Sequence, residues 1–420
     1  VIMTGGLIQL ISSGTQDVYL TGNPQITFFK SLYKKYSKFA LDTVEQTING
    51  NPNFDSTFSC SIDKSGDLLK NIYIELTLPD LVKPNNASWV GYTNNIGCSI
   101  LESVTLRIND QIIDKIYGEW IDIYSNTSNK SSNYLTLQYN SDYSIRNTSN
   151  VPYEKRHLYI PFPFWFTKNT GCALPLVALL NSDISIDVKF RPLRSVVKCD
   201  NYALNDTIKT AVNSEFSCKV WTEYVYLSDT EKAFFTKKDH TYLIEQLQYN
   251  GDDVIKKEDT KKNIYIDFIN PIKELYWVIS VDNNNIDTTL EDDANGWTKY
   301  TTAYSNYMDT FKSLSIKLNN VSLIDEREPE FFKDIQSNVY FNNKRNKHIY
   351  SYSFNLNPNT YQPSGYTNFS ELTSVLFTFD FNSYSLKQAG SSTNGIIKIF
   401  GVNHNFITIS SGICKLVYTK

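Results

Sequence analysis

The sequence contains little of what marks several common functional classes. Its 420 residues carry 40 Lys plus Arg against 44 Asp plus Glu, and a formal charge of −4 lacks the basic excess of a nucleic-acid-binding protein. The longest apolar run, residues 172–180, includes a proline, whereas a membrane helix needs about 20 apolar residues. The first six residues lack the basic start and apolar core of a signal peptide. We therefore expect a soluble protein that is not secreted and does not bind nucleic acid directly.

Residues that hold metals or perform catalysis are also scarce. The six cysteines are scattered and form no CxxC pair, which argues against a zinc knuckle or a disulfide scaffold and fits a reducing compartment. The histidines, His157, His240, His348 and His404, are isolated from one another, whereas a duplicated jelly-roll enzyme of the cupin type needs a His-x-His pair with further ligands. GxSxG, P-loop and GxGxxG motifs are absent from the sequence. We therefore predict no catalytic residue, no cofactor and no metal site.

Aromatic residues and asparagine are abundant, with 29 Tyr, 24 Phe and 43 Asn. Tyr and Phe favour strands, and Asn favours turns. Apolar and polar residues alternate over residues 184–190, which predicts a strand with one buried face. The same pattern predicts strands at 105–108, 315–318, 375–381 and 397–400. The polar tracts 125–150 and 282–306 predict long surface loops, because they contain little apolar area to bury.

Two short helices are predicted from capping signals. Asn23-Pro24 offers an N-cap followed by a proline at the first helical position, ahead of apolar residues up to Tyr36. Ser228-Asp229-Thr230-Glu231 is typical of a capping box at the start of a second helix.

Four short segments recur in the same order in the two halves of the chain. The matches pair 44–47 with 244–247, 70–74 with 273–277, 105–110 with 315–320, and Ile113-Asp114 and Glu119-Trp120 with Ile324-Asp325 and Glu330-Phe331. The offset between the halves grows steadily along the chain, as insertions in loops would make it grow. The repeat predicts an N-terminal arm with a short helix at 1–38, a first β domain at 39–213, a closing strand and linker at 214–228, and a second β domain at 229–420.

Long motifs resemble one known family. The chain reads Gly-Gly-Leu-Ile-Gln-Leu-Ile from Gly5, and further motifs occupy residues 16–30, 113–120, 159–166, 174–179, 240–248, 362–365 and 403–405. These motifs resemble the major capsid proteins of nucleocytoplasmic large DNA viruses, the double jelly-roll family of the algal chlorella viruses. The resemblance covers nearly the whole chain and is lost mainly in the loops 125–150, 199–213 and 282–306.

The resemblance implies an all-β fold of two tandem eight-stranded jelly-roll barrels with long loops and a few short helices. It also implies a pseudo-hexagonal homotrimer, or capsomer, that assembles with neighbouring trimers and with minor capsid and penton proteins into the icosahedral shell of a large double-stranded DNA virus. We therefore expect a structural protein without catalysis, present in the virion and assembled in the host cytoplasm. The alternative is a carbohydrate-binding jelly-roll module that reads host glycans.

A few residues are candidates for contacts or modification. Lys30, Lys34, Lys35 and Lys38 precede the first β domain, and we predict that they lie at the inner face of the capsid, against minor capsid proteins or an internal viral membrane. Asn126, Asn129 and Asn147 are glycosylation sequons in a predicted loop, although chance alone gives about as many sequons as the chain contains.

Two further clusters have a structural and a binding interpretation. The aromatic run 162–166 would be a sugar-stacking or membrane-contacting patch if exposed, but we predict that it packs inside the protein, because large exposed aromatic patches are rare. Arg327, among Asp325, Glu326 and Glu328, is predicted to form a solvated or intersubunit ion-pair cluster.

Overall fold

The computed structural model describes residues 4–128, 156–200, 207–212, 215–256, 258–281, 296–301, 309–341, 347–381 and 394–419. The chain divides into two compact units, Val1–Lys38 and Phe39–Lys420. The first unit contains the short helices Gly5–Ile11 and Val18–Thr21, and its other described residues adopt no regular helix or strand.

The helix predicted after Asn23-Pro24 is wrong. Asn23 has a left-handed backbone with φ 51°, whereas a residue that caps a helix N-terminus adopts an extended backbone. The apolar side chains that follow, such as Phe29 and Leu32, are largely exposed. A helix in this segment would therefore lack the buried face that stabilises most short helices in proteins.

The first half of the second unit is a set of antiparallel strands joined by loops and short helices. Its strands are β1 (Phe39–Gln46), β2 (Ile48–Asn49), β3 (Thr57–Ser61), β4 (Leu68–Leu78), β5 (Leu81–Val82), β6 (Val90–Tyr92), β7 (Leu101–Ile108), β8 (Gln111–Tyr117), β9 (Arg156–Pro161), β10 (Ile184–Phe190), β11 (Val197–Cys199), β12 (Lys209–Thr210) and β13 (Ser217–Leu227). Its α-helices are Ile96–Ser99, Gly118–Thr127 and Trp165–Lys168, and its 3₁₀ turns are Thr170–Cys172, Leu176–Ala178 and Leu193–Val196.

The second half follows the same plan. It begins with the helix Asp229–Lys237 and continues with β14 (His240–Ile255), β15 (Lys261–Tyr265), β16 (Pro271–Val281), β17 (Ser313–Leu318), β18 (Val321–Arg327), β19 (Tyr350–Ser353), β20 (Thr367–Asn368), β21 (Val375–Asp380), β22 (Gly395–Ser410) and β23 (Ile413–Leu416). Two π-helical turns, Phe331–Ile335 and Ser337–Phe341, follow β18, and a 3₁₀ turn occupies Phe369–Glu371.

Both halves have the same sheet topology. The first half pairs its strands in the orders β1-β13-β4-β9 and β2-β3-β10-β7-β8, and the second in the orders β14-β22-β16-β19 and β15-β21-β17-β18. The eight strands of these two sheets in the second half occupy the places of counterparts in the first half, in which β2 is an additional edge strand. This confirms the predicted all-β fold of two jelly rolls, with the difference that the sheets are open and do not close into barrels.

Individual strands agree with the alternation in the sequence. Strand β10 covers residues 184–190 as predicted, and its residues Ile184, Ile186, Val188 and Phe190 are buried. The helix Asp229–Lys237 starts after Ser228 as predicted, but the Ser228 side chain makes no capping hydrogen bond, so the capping box itself does not form. Most of segment 214–228 is β13, which pairs with both β1 and β4 and is therefore a central strand of the first jelly roll.

The strand ladders correct the register of one sequence match. Glu45 pairs with Trp221, and Trp221 pairs with Tyr73. In the second jelly roll Tyr276, the counterpart of Tyr73, pairs with Phe400, which in turn pairs with Tyr249. Glu45 thus corresponds to Tyr249, so the match of 44–47 with 244–247 is four residues out of register. The alternation of apolar residues repeats every two positions, so an even shift leaves the pattern unchanged.

The apolar core has two main parts. One cluster of buried side chains fills the first jelly roll and continues, through residues such as Tyr276 and Phe400, onto the facing side of the second. A separate cluster, which includes Trp277 and Phe377, fills the interior of the second jelly roll. The two jelly rolls therefore share a continuous apolar contact.

Candidate functional site: the junction between the two jelly rolls

The helix Gly118–Thr127 places side chains of the first jelly roll on the second. It follows the hairpin of β7 and β8, and its N-terminal residue lies close to neighbouring backbone. A Cβ atom at Gly118 would lie 2.0 Å from the carbonyl oxygen of Cys98 and 2.4 Å from that of Leu101. A glycine is therefore needed where the helix starts, and the residues that follow it, Glu119 and Trp120, contact the second jelly roll.

Glu119 lies between two cations, one from each jelly roll. Its Oε1 lies 2.8 Å from Nη2 of Arg191 and 2.6 Å from Nζ of Lys398, and its side chain is only 3% exposed. Burial alone would raise the pKa of Glu119, but the charges of Arg191 and Lys398 lower it to about 2. The carboxylate is ionised at neutral pH and joins the two halves of the chain.

Arg191 also contacts an aromatic ring of the second jelly roll. Its guanidinium carbon lies 3.8 Å from the ring centroid of Trp297, which is the geometry of a cation–π interaction. The indole Nε1 of Trp297 donates a hydrogen bond of 2.7 Å to the carbonyl oxygen of Ser195. Trp297 is thereby fixed at both its face and its edge by residues of the first jelly roll.

Aromatic rings surround this ion cluster. Trp120 lies 5.4 Å from Tyr276 and 5.8 Å from Phe400, measured between ring centroids. Tyr117 lies 4.9 Å from Tyr249, which stacks on Phe400 at 4.8 Å. Aromatic pairs at these distances add about 0.5–1.5 kcal/mol each beyond the burial of their area.

A second ion cluster lies at the other end of the junction. Glu245 pairs with Lys168 of the first jelly roll at 2.8 Å and with Lys273 of its own half at 2.5 Å, and Lys273 also pairs with Glu274 at 2.9 Å. Burial would raise the pKa of Glu245, but the two lysines lower it well below its ordinary value. A cavity of about 380 Å³ adjoins this cluster, with walls that include Trp120, Trp165 and Tyr361.

The edge strands of the two halves also meet directly. The backbone N–H of Leu247 donates to Oδ1 of Asp114 at 3.0 Å, and Nε2 of Gln246 donates to the carbonyl oxygen of Ile113. Burial raises the pKa of Asp114 to about 6. Further along, Lys347 pairs with the buried Asp122 at 2.8 Å. The junction therefore combines apolar, ionic and backbone contacts, which makes the two jelly rolls one mechanical unit.

The structure shows whether the aromatic run 162–166 is buried and where the other candidate residues lie. Phe162, Phe164, Trp165 and Phe166 are buried, with 0–3% of their surface exposed, so the prediction of internal packing is confirmed. Arg327 is exposed, and its guanidinium carbon lies 5.7 Å from the ring centroid of Phe331.

Asn126 belongs to the last turn of the helix Gly118–Thr127, which corrects the start of the loop predicted at 125–150. Its half-buried side-chain nitrogen donates 2.7 Å to the carbonyl oxygen of Asp122, so a sugar on this nitrogen would disturb the helix. Asn129 and Asn147 lie outside the described residues, and glycosylation stays a prediction. Lys30, Lys34, Lys35 and Lys38 lie exposed in the arm.

The histidines take part in separate contacts. His157 lies beside Thr77 and Glu75, His348 beside Asp309, and His404 is buried. Within the described ranges, no three His, Cys, Asp or Glu side chains are grouped so as to hold a metal ion. None of the helices in the same part of the chain is both long and apolar enough to span a membrane.

Sequence reasoning missed the junction as a site. Glu119-Trp120 was visible as part of the repeat, but the ion partners of Glu119, Arg191 and Lys398, come from segments distant in sequence, as does Trp297, whose ring Arg191 contacts. A buried ion pair of this kind leaves no local pattern, because each partner by itself resembles an ordinary surface charge.

Comparisons with known proteins match nearly the whole chain to capsid proteins. Residues 27–228 match the family described as "Major capsid protein N-terminus", and residues 231–414 match "Large eukaryotic DNA virus major capsid protein". The chain is 30% identical over 447 residues to the major capsid protein of Pyramimonas orientalis virus and 30% identical over 451 residues to that of Paramecium bursaria Chlorella virus 1. In both comparisons, 100% of each chain is covered.

Solved structures show the same similarity. A structure of the PBCV-1 virus capsid matches with a TM-score of 0.76 and 25% identity, covering 94% of this chain and 100% of that chain. The Faustovirus major capsid protein matches with a TM-score of 0.71 at 14% identity, over 95% of this chain and 94% of that chain, and thus shares the fold.

Proposed function

The chain belongs to the family of major capsid proteins of large eukaryotic DNA viruses, and from that membership we propose that three copies form a closed homotrimer, the building block of the shell. The protein is a structural component of the virion capsid, where its copies assemble into a shell. The proposed trimer has a pseudo-hexagonal outline and the shell has icosahedral symmetry.

The observation that carries the trimer is the rigid junction between two jelly rolls of one topology. Three chains with two similar units each present six similar units around one axis. Such an arrangement combines closed threefold symmetry with an outline that tiles a hexagonal lattice. A flexible link between the jelly rolls would not fix the angle that closure requires.

The N-terminal arm supplies the proposed contacts at the inner face of the shell. Its apolar side chains, such as Phe28, Phe29 and Tyr33, are 86–99% exposed, and Lys30, Lys34, Lys35 and Lys38 add positive charge. Exposed apolar surface combined with basic residues suits a protein groove or an anionic membrane surface. We propose minor capsid proteins, penton proteins or an internal viral membrane as the partners.

We propose that the protein acts through assembly alone. Burial of self-complementary surfaces accounts for its role, and we propose that it performs no catalysis, contacts no nucleic acid directly and assembles in the host cytoplasm. The near-zero net charge of −4 supports a shell that packs against copies of itself.

Size-exclusion chromatography with light scattering tests the trimer. The expected mass is three times the 48.2 kDa of one chain, and it should persist on dilution, as in obligate oligomers with large interfaces. A stable mass of one chain at all concentrations would contradict the proposal. Electron microscopy of the purified oligomer should then show the hexagonal outline.

A further inference from the structure

The strand ladders give residue-by-residue counterparts on the outer faces of the two jelly rolls. Tyr73 pairs with Trp221 as Tyr276 pairs with Phe400. Two positions further along the same strands, Glu75 pairs with Lys219 in the first jelly roll, and Val278 pairs with Lys398 in the second. Lys219, Trp221 and Tyr73 of the first jelly roll therefore occupy the places of Lys398, Phe400 and Tyr276 of the second.

In the second jelly roll this face is covered by the same chain. Lys398 pairs with Glu119, and Trp120 packs against Phe400 and Tyr276. Phe400 and Tyr276 are 1% and 3% exposed as a result. We call this contact the internal junction.

In the first jelly roll the corresponding face is open to solvent. The side chain of Lys219 is 45% exposed, compared with 10% for Lys398, and it pairs with Glu45 of the neighbouring strand at 3.2 Å. Trp221 and Tyr73 are half-buried, and Tyr159, whose ring lies 6.3 Å from that of Tyr73, is 42% exposed. Trp and Tyr rings gathered on a partly exposed sheet face are enriched at protein interfaces relative to ordinary surface.

The second jelly roll carries the counterparts of the residues that cover the internal junction. Val104 pairs with Ile116 in the first jelly roll, and Leu314 pairs with Arg327 in the second. Ile116 and Arg327 are therefore counterparts. Glu119-Trp120 and Glu330-Phe331 each begin three residues after these counterparts, so they correspond as well. Glu330 is exposed and Phe331 half-buried. Ile335 and Val339, on the same pair of helical turns, are 53% and 60% exposed.

We propose that Glu330 and Phe331 of one copy pack on Lys219, Trp221 and Tyr73 of the next copy, so that the internal junction is repeated between subunits. The Glu330 carboxylate pairs with Lys219 of the next copy as Glu119 pairs with Lys398. The Phe331 ring contacts Trp221 and Tyr73 of the next copy as Trp120 contacts Phe400 and Tyr276. This inference rests on the proposed trimer and assigns the residues that hold it together.

Repeating the internal junction between copies would also account for assembly that stops at a closed ring. The contact joins the second jelly roll of one copy to the first jelly roll of the next, which makes it a head-to-tail interface. If the internal junction and the subunit contact turn the chain by the same angle, and that angle is one sixth of a turn, three copies close the ring and leave no free edge.

The subunit contact is more polar than the internal junction. Tyr117 and Tyr249, whose rings meet at 4.9 Å in the internal junction, are replaced at the corresponding positions by Glu328 and Glu45. Two carboxylates then face each other, with Lys219 within 3.2 Å of Glu45. Charged groups at an exposed interface are screened by salt, so the strength of this contact should depend on ionic strength.

Charge reversal tests the proposal. Lys219→Glu and Glu330→Lys should each reduce the mass measured by light scattering from three chains to one, since each brings like charges together. The double variant K219E/E330K should restore the mass of three chains. Lys189→Glu is the matched control, because Lys189 forms an exposed pair of 2.7 Å with Glu102 on a different sheet, and it should leave the trimer intact. Circular dichroism checks that each variant is folded.

A covalent test does not depend on weakening the assembly. The double variant Lys219→Cys with Glu330→Cys should, on mild oxidation, give bands of two and three linked chains on a non-reducing gel, whereas Lys189→Cys with Glu330→Cys should give single chains. Single variants that remain trimeric, together with an absence of cross-linked chains, would overturn the assigned contact while leaving the trimer standing. A parent chain that is monomeric would contradict the trimer itself, and the contact with it.

Discussion

At the scale of single residues, contacts from both jelly rolls converge on Glu119. It accepts from Arg191 of the first and from Lys398 of the second, and its main-chain oxygen accepts from the hydroxyl of Tyr300 at 3.4 Å. Removing one partner of a buried ion pair leaves the other charge without compensation, which makes such pairs more sensitive to mutation than their net stabilisation indicates.

Replacing this carboxylate should destabilise the protein strongly. Glu119→Ala leaves Arg191 buried without a counter-charge and leaves Lys398 with only the half-exposed Asp252, 3.6 Å away, and we expect the free energy of unfolding to fall by about 3–5 kcal/mol. Chemical denaturation followed by circular dichroism measures the loss. The control is Glu102→Ala, which removes the exposed partner of Lys189 and should cost less than about 1 kcal/mol. Equal losses in the two variants would contradict the central role of Glu119.

Stability should also fall in acid because of the same residue. The pKa of Glu119 is about 2 in the folded protein, below the ordinary value of 4.5 for a glutamate. A group with a lowered pKa stabilises the fold above its ordinary pKa, and this contribution is lost as the pH falls towards the folded-state value. We expect the melting temperature to decrease between about pH 5 and pH 2, to which the lowered pKa of Glu245 contributes in the same direction.

Glu119→Gln provides the comparison for this pH dependence. Calorimetric melting curves of the variant should show a shallower decrease over the same pH range, since glutamine does not titrate. Asp114 acts with the opposite sign, because its pKa is raised to about 6 and its protonation favours the folded state. Identical pH profiles for the parent and the Gln variant would show that Glu119 does not contribute.

At the scale of secondary-structure elements, the helix Gly118–Thr127 and the N-terminal arm have contrasting environments. The helix is buried at nearly every position and begins at a glycine enclosed by backbone. The arm contains no buried residue in either of its helices. The helix is therefore fixed by packing within the chain, whereas the arm has surface available for a partner.

A methyl group at the start of the buried helix should disrupt the junction. Gly118→Ala places a Cβ 2.0 Å from the carbonyl oxygen of Cys98, and backbone cannot move aside as a flexible side chain can. We expect a loss of at least about 1–3 kcal/mol, typical of overpacked sites, measured as a reduced denaturation midpoint. Gly91→Ala is the matched control, because no atom lies within 4 Å of its added Cβ. A fully stable G118A variant would contradict the close packing described here.

Removing part of the arm should separate folding from shell assembly. We expect a chain lacking residues 1–24 to form trimers of normal mass but to assemble poorly into capsids, because this deletion takes away exposed apolar residues and leaves the jelly rolls intact. Electron microscopy counts the assembled particles, and light scattering measures the mass of the trimers, so the two measurements separate capsid assembly from trimer formation. Replacing Lys30, Lys34, Lys35 and Lys38 by glutamine in the full chain tests the charge separately, and unimpaired assembly in both variants would rule out a role for the arm.

At the scale of the whole molecule, the two jelly rolls share an apolar cluster that contains residues of both, such as Val104 and Phe400. Although the second jelly roll also has an interior cluster of its own, an apolar cluster shared across the junction couples the unfolding of the two halves. The buried charges of Glu119 and Glu245 tie the same surfaces together.

Residues 39–420 should accordingly unfold in one transition. Tryptophan fluorescence and far-ultraviolet circular dichroism of the full chain, recorded in guanidinium chloride at one protein concentration, should give coincident curves. Trp120→Ala removes the ring that packs on Tyr276 and Phe400. We expect it to lower the free energy of unfolding by about 3–5 kcal/mol and the denaturation midpoint with it. Two resolved transitions in the parent chain would show that the jelly rolls are independent.

The sequence by itself determined the fold class, the duplication and the family, because strand alternation and long motifs are local properties that each segment carries without its neighbours. It also indicated the burial of the 162–166 run from the rarity of exposed aromatic patches. The register of the first repeat match, the absence of a helix after Asn23 and the identity of the junction were decided only by the tertiary structure. Alternation is unchanged by an even shift, and a helix needs a buried face to be stable. The ion partners of Glu119 are brought together only when strand β22 meets the segment that follows β10.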